Sequence, residues 1–415
     1  MTSSLSDAPN FLIRPVQYRD LDTLETIIVE FAQEHPESNS TIFVQQLQQA
    51  RRWFGLLKFL SWFPNLFQHH FCVYVAEVKT AYTQETRLRG FVQISPFNSS
   101  RSTWRVERVM AANGGNQPEL FNDPKGVGSQ LLRQCFEAIW EARTWVLEVN
   151  IYQKNNLALY RQNGFQPLAQ LTYWSLTPDL LQQLAERDSD IPNLLPVSNG
   201  DAQLLYQLDC VSMPPLLRQV FDRHPEDFRT PFLGGLLDKF RQWRDRTEIA
   251  QGYVFEPQRK AAIGYFKLIL SQDGLQPHQA QLTVHPAYTW LYPKLLIKMA
   301  HIVQSFPTQH LELVSADYQH EREEYLEKLG SQRVKHNLLM SRSVWHKLKE
   351  TKPEGLHLPE MLKGLQAVPR TPIPSRMSWL QSHSNHRPKT TKKTNNNHPS
   401  NSGDSSEKTD HKTQK

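Results

Sequence analysis

Residues 122–132 read NDPKGVGSQLL, which sets Gly126 and Gly128 one residue apart where a polar loop gives way to a helical pattern. Glycines let backbone N–H groups approach a ligand closely, and the first amides of a helix are unpaired at the positive end of its dipole. The chemistry on offer is therefore capture of an anion, with Lys125 adding positive charge. Each charge-assisted hydrogen bond is worth about 1.5–3 kcal/mol, so a few would anchor a pyrophosphate. One Gly-x-Gly among 17 glycines in 415 residues is what chance supplies, so the surrounding chain has to carry the claim. A Walker loop requires Gly-Lys-Ser/Thr, but Ser129 and Gln130 follow Gly128; a dinucleotide fingerprint requires a third glycine where Leu131 stands. Both are excluded, and a plain strand-to-helix turn stays open beside the anion site. Cys72, Cys135 and Cys210 lack ligand spacing, so neither a disulfide framework nor a metal site is expected.

The elements that would position this loop follow from periodicity. FLIRPVQ (11–17) alternates as a strand, and RDLDTLETIIVEFAQEH reads as a helix with Asp20 as N-cap. A second helix is expected over about 41–60. Strands over 70–78, 87–97 and 102–112, separated by turn-rich stretches, suggest an antiparallel meander. After a polar connection, 113–125, comes an amphipathic helix over 127–142, with Val127, Leu131 and Cys135 in line and Leu132, Phe136, Ile139 and Trp140 beside them. TWVLEVNI (144–151) has the apolar look of a buried strand, NNLALYRQNGF is a short helix ended by Gly164 as a left-handed cap, and residues 166–176 close the unit with a strand. The order defines a mixed α/β sheet.

WRVERVMAA, the Gly-Val-Gly opening a helix, WVLEVNI and NNLALYRQNGF together resemble the acyl-CoA-binding core of the GNAT acyltransferase superfamily over most of residues 11–177. The more specific half is Asn155 and Ala158, then Leu159-Tyr160, then Gly164-Phe165. Asp123 stands where the family carries Gln or Arg, and the 113–125 connection is longer than usual. The resemblance implies an acyl-CoA cosubstrate, acetyl-CoA foremost, and direct acyl transfer to an amine, small-molecule or protein. By it, Lys125 and the amides of Gly126, Val127, Gly128 and Ser129 would hold the pyrophosphate. Backbone groups of Val109 and Met110 would pair with the pantetheine arm, and Asn155 would assist. Tyr160 matches the family's general acid, with a packed aromatic as the competing reading. Glu107 is the candidate base, and Arg105 and Arg108 could simply pair with it. A non-catalytic acyl-CoA sensor or scaffold is the alternative function.

The pattern recurs at low identity: LELVSADYQHEREEYLEKLG parallels VLEVNIYQKNNLALYRQNGF. The expectation is two GNAT-like copies in tandem, residues 1–178 and 201–348, joined by a linker over 179–200. The second departs from the family. It has no glycine between Val284 and Leu296, Tyr288, Trp290 and Tyr292 crowd the loop position, and Leu326 falls where Tyr160 stands. It is expected to bind no cofactor and to brace the first copy, wall its acceptor cleft or mediate oligomerisation.

Composition bounds the rest. The net charge of +6 owes much to residues 383–415, where seven Lys and Arg meet three Asp and Glu. That stretch is without apolar residues and interleaved aromatics, which argues for disorder and against nucleic acid, and the basic tail from 349 onward is expected to be disordered. RRWFGLLKFLSWFPNLF (51–67) is the candidate for peripheral membrane contact, but Lys58 and Pro64 interrupt it and a helix covering a cleft is preferred. With neither a secretion signal nor a spanning run, a cytoplasmic protein is expected.

Overall fold

The computed structural model describes residues 11–34, 72–79, 86–111, 126–229 and 246–344. The expected helix over 41–60, the aromatic segment 51–67, the connection holding Asp123 and Lys125, and the tail from 349 lie outside the described residues.

Among the described residues twelve strands form one sheet: β1 (Leu12–Pro15), β2 (Cys72–Lys79), β3 (Thr86–Pro96), β4 (Thr103–Ala111), β5 (Thr144–Asn150), β6 (Gln166–Leu176), β7 (Leu194–Pro196), β8 (Thr247–Glu256), β9 (Ala261–Ser271), β10 (His278–Val284), β11 (Leu311–Ala316) and β12 (Gln332–Ser343). Their spatial order is β1-β2-β3-β4-β5-β12-β6-β11-β10-β9-β8-β7. Neighbours are antiparallel except for β4 with β5 and β10 with β11.

Residues 166–176 were read as the closing strand of the first copy, yet β6 does not pair with β5. β12 takes that place, and β6 lies between β12 and β11. Each copy thus gives its last strand to the other's sheet, which pairs both edges at the joint.

Eight helices among the described residues cover the two faces: α1 (Leu21–Glu34), α2 (Val127–Ala138), α3 (Lys154–Gln162), α4 (Pro178–Ala185), α5 (Ala202–Ser212), α6 (Pro215–Phe221), α7 (Leu291–Val303) and α8 (His320–Lys328). Leu131, Leu132, Cys135 and Phe136 of α2 and Leu159 and Tyr160 of α3 pack on Trp104, Val106, Trp145 and Leu147. In the second copy α7 and α8 build the corresponding core on Phe266, Leu268 and Leu313. On the opposite face α1 covers Val73, Val75, Phe91 and Met110, α5 covers Tyr253 and Ala262, and Leu217 of α6 meets Ala169 and Leu339.

Two expectations are corrected here. α2 ends at Ala138, so Trp140 leaves the apolar stripe and is 77% exposed. Asp20 is not an N-cap but the third residue of a preceding 3-10 turn, Tyr18–Asp20, whose carboxylate reaches back to the Gln17 N–H at 2.7 Å. The same carboxylate binds Arg14 at 2.6 and 2.9 Å. Burial works against ionised Asp20, but Arg14 and the Gln17 amide outweigh it and hold the carboxyl below its usual range. Gly164 has φ +82° and Gly330 φ +85°, so the left-handed cap expected at Gly164 recurs in the second copy.

Candidate active site

β4 and β5 pair only from Thr103 with Thr144 to Val106 with Leu147, although both strands continue. Past that point they part. On its other side β4 pairs Arg108 with Gln93 but Val106 with Ile94, so Glu107 is the extra residue of a β-bulge. The bulge resets the alternation: Trp104, Val106 and then Val109 face α2, while Met110 faces α1. Beyond Val106 the β5-facing edge of β4 has no strand partner among the described residues. An extended arm can add to such an edge as a strand, and Val109 and Met110 lie on it.

α2 begins beside the open end of this gap. Gly90 on β3 makes the approach possible, because a Cβ there would stand 2.6 Å from the Met110 carbonyl oxygen and 2.9 Å from Val127 Cγ1. Gly126 is the N-cap of α2 in extended conformation. Gly126, Val127, Gly128 and Ser129 are buried rather than open to solvent, and the Ser129 hydroxyl is turned inward, accepting from Asn163 Nδ2 at 2.9 Å. What Ser129 can offer an anion is therefore its amide alone. Lys125 is outside the described residues.

Tyr160 is buried on α3, edge-on to Phe165 at 5.9 Å between ring centroids. Burial pushes its phenol upward, so it stays protonated at neutral pH and can act as a donor. Asn155, in the first turn of the same helix, is exposed, and Asn156 Nδ2 donates to Gln153 Oε1 at 2.9 Å.

On the face away from α2 and α3, the bulge holds a polar chain that crosses five strands. Glu107 accepts from Ser95 Oγ at 2.6 Å and has Arg105 Nε 3.5 Å away. Arg105 Nη2 donates to Glu148 Oε1 at 3.0 Å, and the Tyr173 hydroxyl donates to Glu148 Oε2. Asn337 of β12 contacts that same hydroxyl. Burial, then the Glu148 charge, push the Tyr173 phenol upward. The pairing of Glu107 with Arg105 was anticipated; Glu148 and Tyr173 were missed. A glutamate inside the otherwise apolar TWVLEVN was the available signal.

The second copy repeats the parting strands and then fills the space. β10 and β11 pair only from His278 with Leu311 to Ala280 with Leu313. Arg322, 3% exposed, lies between the parted strands, Nη1 donating to Val314 O at 2.7 Å and Nη2 to Leu282 O. The Tyr292 ring backs its guanidinium at 5.6 Å. α3 and α8 are the same nine residues long, so superposing them pairs Asn156 with Arg322 and Tyr160 with Leu326. The helix position that carries Arg322 into the second gap is thus held in the first copy by Asn156, which donates to Gln153.

Two copies of a mixed sheet, each with a parallel strand pair that parts a few residues after it begins, define the architecture. Neither a family model nor a curated protein matches the chain. Solved structures do. A tandem GNAT protein from the clavulanic acid biosynthesis pathway, solved without AcCoA, matches at 12% identity over 81% of this chain and 100% of that one, with a TM-score of 0.50. A GCN5-related N-acetyltransferase from Sphaerobacter thermophilus matches at 12% identity over 82% and 97%, with a TM-score of 0.47. The chain has the fold of the GNAT acetyltransferases, in tandem. Among the described residues no helix is long and apolar enough to cross a membrane.

Proposed function

We propose that the chain is an acyl-CoA-dependent N-acyltransferase, acetyl-CoA being the foremost cosubstrate, in which the N-terminal copy, residues 1–178, alone is active. The observation that carries this reading is the pair of gaps: beyond Val106 the β5-facing edge of β4 has no strand partner among the described residues, whereas Arg322 closes the second gap.

Bound acyl-CoA supplies a thioester carbonyl and a thiolate leaving group. Val109 and Met110 hold its arm along β4, and amides of Gly126 to Ser129 lie where the pyrophosphate reaches the helix start. Tyr160, kept protonated by burial, gives its proton to the departing sulfur. Glu107 takes the proton of the incoming amine from the opposite face. The second copy supports that face: Thr103 Oγ1 donates to Val220 O at 2.7 Å, and Asn98 Nδ2 to Asp222 O at 2.8 Å. α6 thereby walls the acceptor side.

Calorimetric titration with acetyl-CoA tests the reading. One site per chain is expected, lost in Gly128→Trp; a wild-type chain that takes up no acetyl-CoA refutes it. Thiol release with a panel of primary amines then separates enzyme from sensor, since binding without release leaves only the sensor. Tyr160→Phe should lower turnover about 100-fold while leaving acetyl-CoA affinity unchanged.

A further inference from the structure

Resting on the acyltransferase reading, we propose that Glu148 and Tyr173 are positioning residues for Glu107: together they draw Arg105 toward β5 and so loosen its pairing with Glu107, the group that accepts the acceptor's proton. Arg105 has two carboxylates within reach and divides itself unequally. It makes a hydrogen bond to Glu148 at 3.0 Å, whereas its nearest approach to Glu107 is 3.5 Å. The Tyr173 hydroxyl fixes the second oxygen of Glu148 and turns the first toward the guanidinium. Glu107 meanwhile keeps one oxygen on the Ser95 hydroxyl. A carboxylate fully paired with a guanidinium is a poor base, because the neighbouring positive charge favours its ionised form. Drawing Arg105 to Glu148 keeps its guanidinium out of hydrogen-bonding reach of Glu107 at the point where the β4–β5 pairing ends.

The charged groups gathered about Glu107 are Arg105 and Arg108 from β4, Glu148 from β5 and, beyond Glu148, Tyr173 from β6. Tyr173 lies on β6, which β12 separates from β5, so its hydroxyl reaches Glu148 across the exchanged strand.

An independent observation is the absence of this chain of groups from the second copy. Matching the last paired residues of the two gaps, Val106 with Ala280 and Leu147 with Leu313, puts Gln279 at the place of Arg105, Gln281 at that of Glu107 and Val314 at that of Glu148. The fold does not need these charges. Partly buried charges cost desolvation, and here they accompany the gap left open.

The test is the pH dependence of amine-dependent thiol release, with acetyl-CoA binding measured alongside. Glu148→Gln releases Arg105 onto Glu107, so kcat/KM should fall about tenfold or more, and the acidic limb of the profile should move about one unit lower. Tyr173→Phe should move it the same way by less, and Glu148→Asp should restore part of the rate. Acetyl-CoA affinity should stay within twofold throughout. An acidic limb unmoved in Glu148→Gln overturns the proposal, as does a wild-type chain that binds acetyl-CoA but shows no amine-dependent release. Failure of the wild type to bind acetyl-CoA removes the acyltransferase reading itself.

Discussion

The two gaps share a scaffold and differ in what fills them. In each, a parallel pair of strands separates a few residues after it begins, and a nine-residue helix with a left-handed glycine cap overlies it. Parting two strands leaves backbone groups without ladder partners, and buried groups of that kind must be satisfied somehow. The second copy meets the requirement from within, spanning Leu282 O and Val314 O with Arg322. The first copy has Asn156 at that position, donating to Gln153 instead. The two copies thus differ at one equivalent helical position, Arg322 against Asn156.

The largest expected effect comes from unsealing. Arg322→Met keeps much of the apolar length but none of the donors, stranding two buried carbonyls. With each unsatisfied group worth about 1–3 kcal/mol, a loss near 2–4 kcal/mol is expected in urea unfolding. Asn156→Ala, at the equivalent place in the first copy, should cost less than about 1 kcal/mol because its partner among the described residues is the Gln153 side chain. Equal costs for the two variants would remove the comparison.

Gly90 and Gly264 give the next effect. Each lies under the first residue of the helix that overlies its copy, Val127 or Leu291. A Cβ at Gly90 meets the rigid Met110 carbonyl at 2.6 Å, whereas one at Gly264 meets the mobile ends of Leu295 and Leu291 at 3.1 and 3.2 Å. Gly90→Ala should therefore cost about 1–3 kcal/mol and weaken acetyl-CoA binding, with Gly264→Ala doing neither to the same degree. Calorimetric melting and titration of the two variants would decide this; a Gly264→Ala variant that is the more damaged would reverse the ranking.

Much of this was legible before any coordinates. The three-to-four spacing of Leu131, Cys135 and their neighbours announced α2, and Gly164 announced the end of α3, because helix periodicity and caps are local. The strand exchange was not, since alternation tells which face a residue occupies and nothing about which strand lies beside it. Arg322 was hidden for a similar reason. In HEREEYLEK it looks like one charge among many on a solvated helix, and only the parting of β10 from β11 gives it a buried task. Asp20 showed a cap-forming residue next to a helix start, but the partner that fixed its geometry, Arg14, comes from the preceding strand.

The smallest expected effect is acid sensitivity, which should fall on the sealed copy. His278 opens β10 at the closed end of the second gap, where the first copy has Trp104. It is fully buried. Its Nδ1 accepts from the Ser271 N–H at 3.0 Å, so the ring is the tautomer with hydrogen on Nε2, which donates to Pro307 O at 3.1 Å. Protonation would place a second hydrogen where Ser271 already donates. Desolvation holds the His278 pKa below its ordinary value, and burial, then Arg259, do the same for His285. A histidine whose folded pKa is depressed binds fewer protons folded than unfolded, so its stabilising contribution is present above the unfolded pKa and is lost as pH falls through the folded one. Between about pH 7.5 and pH 5.5, hydrogen exchange corrected for intrinsic rate should therefore quicken in β10 and α7 more than in β4 and α2. His278→Gln should flatten that difference, and equal quickening in the two copies would show that the packing around His278 does not set the acid response.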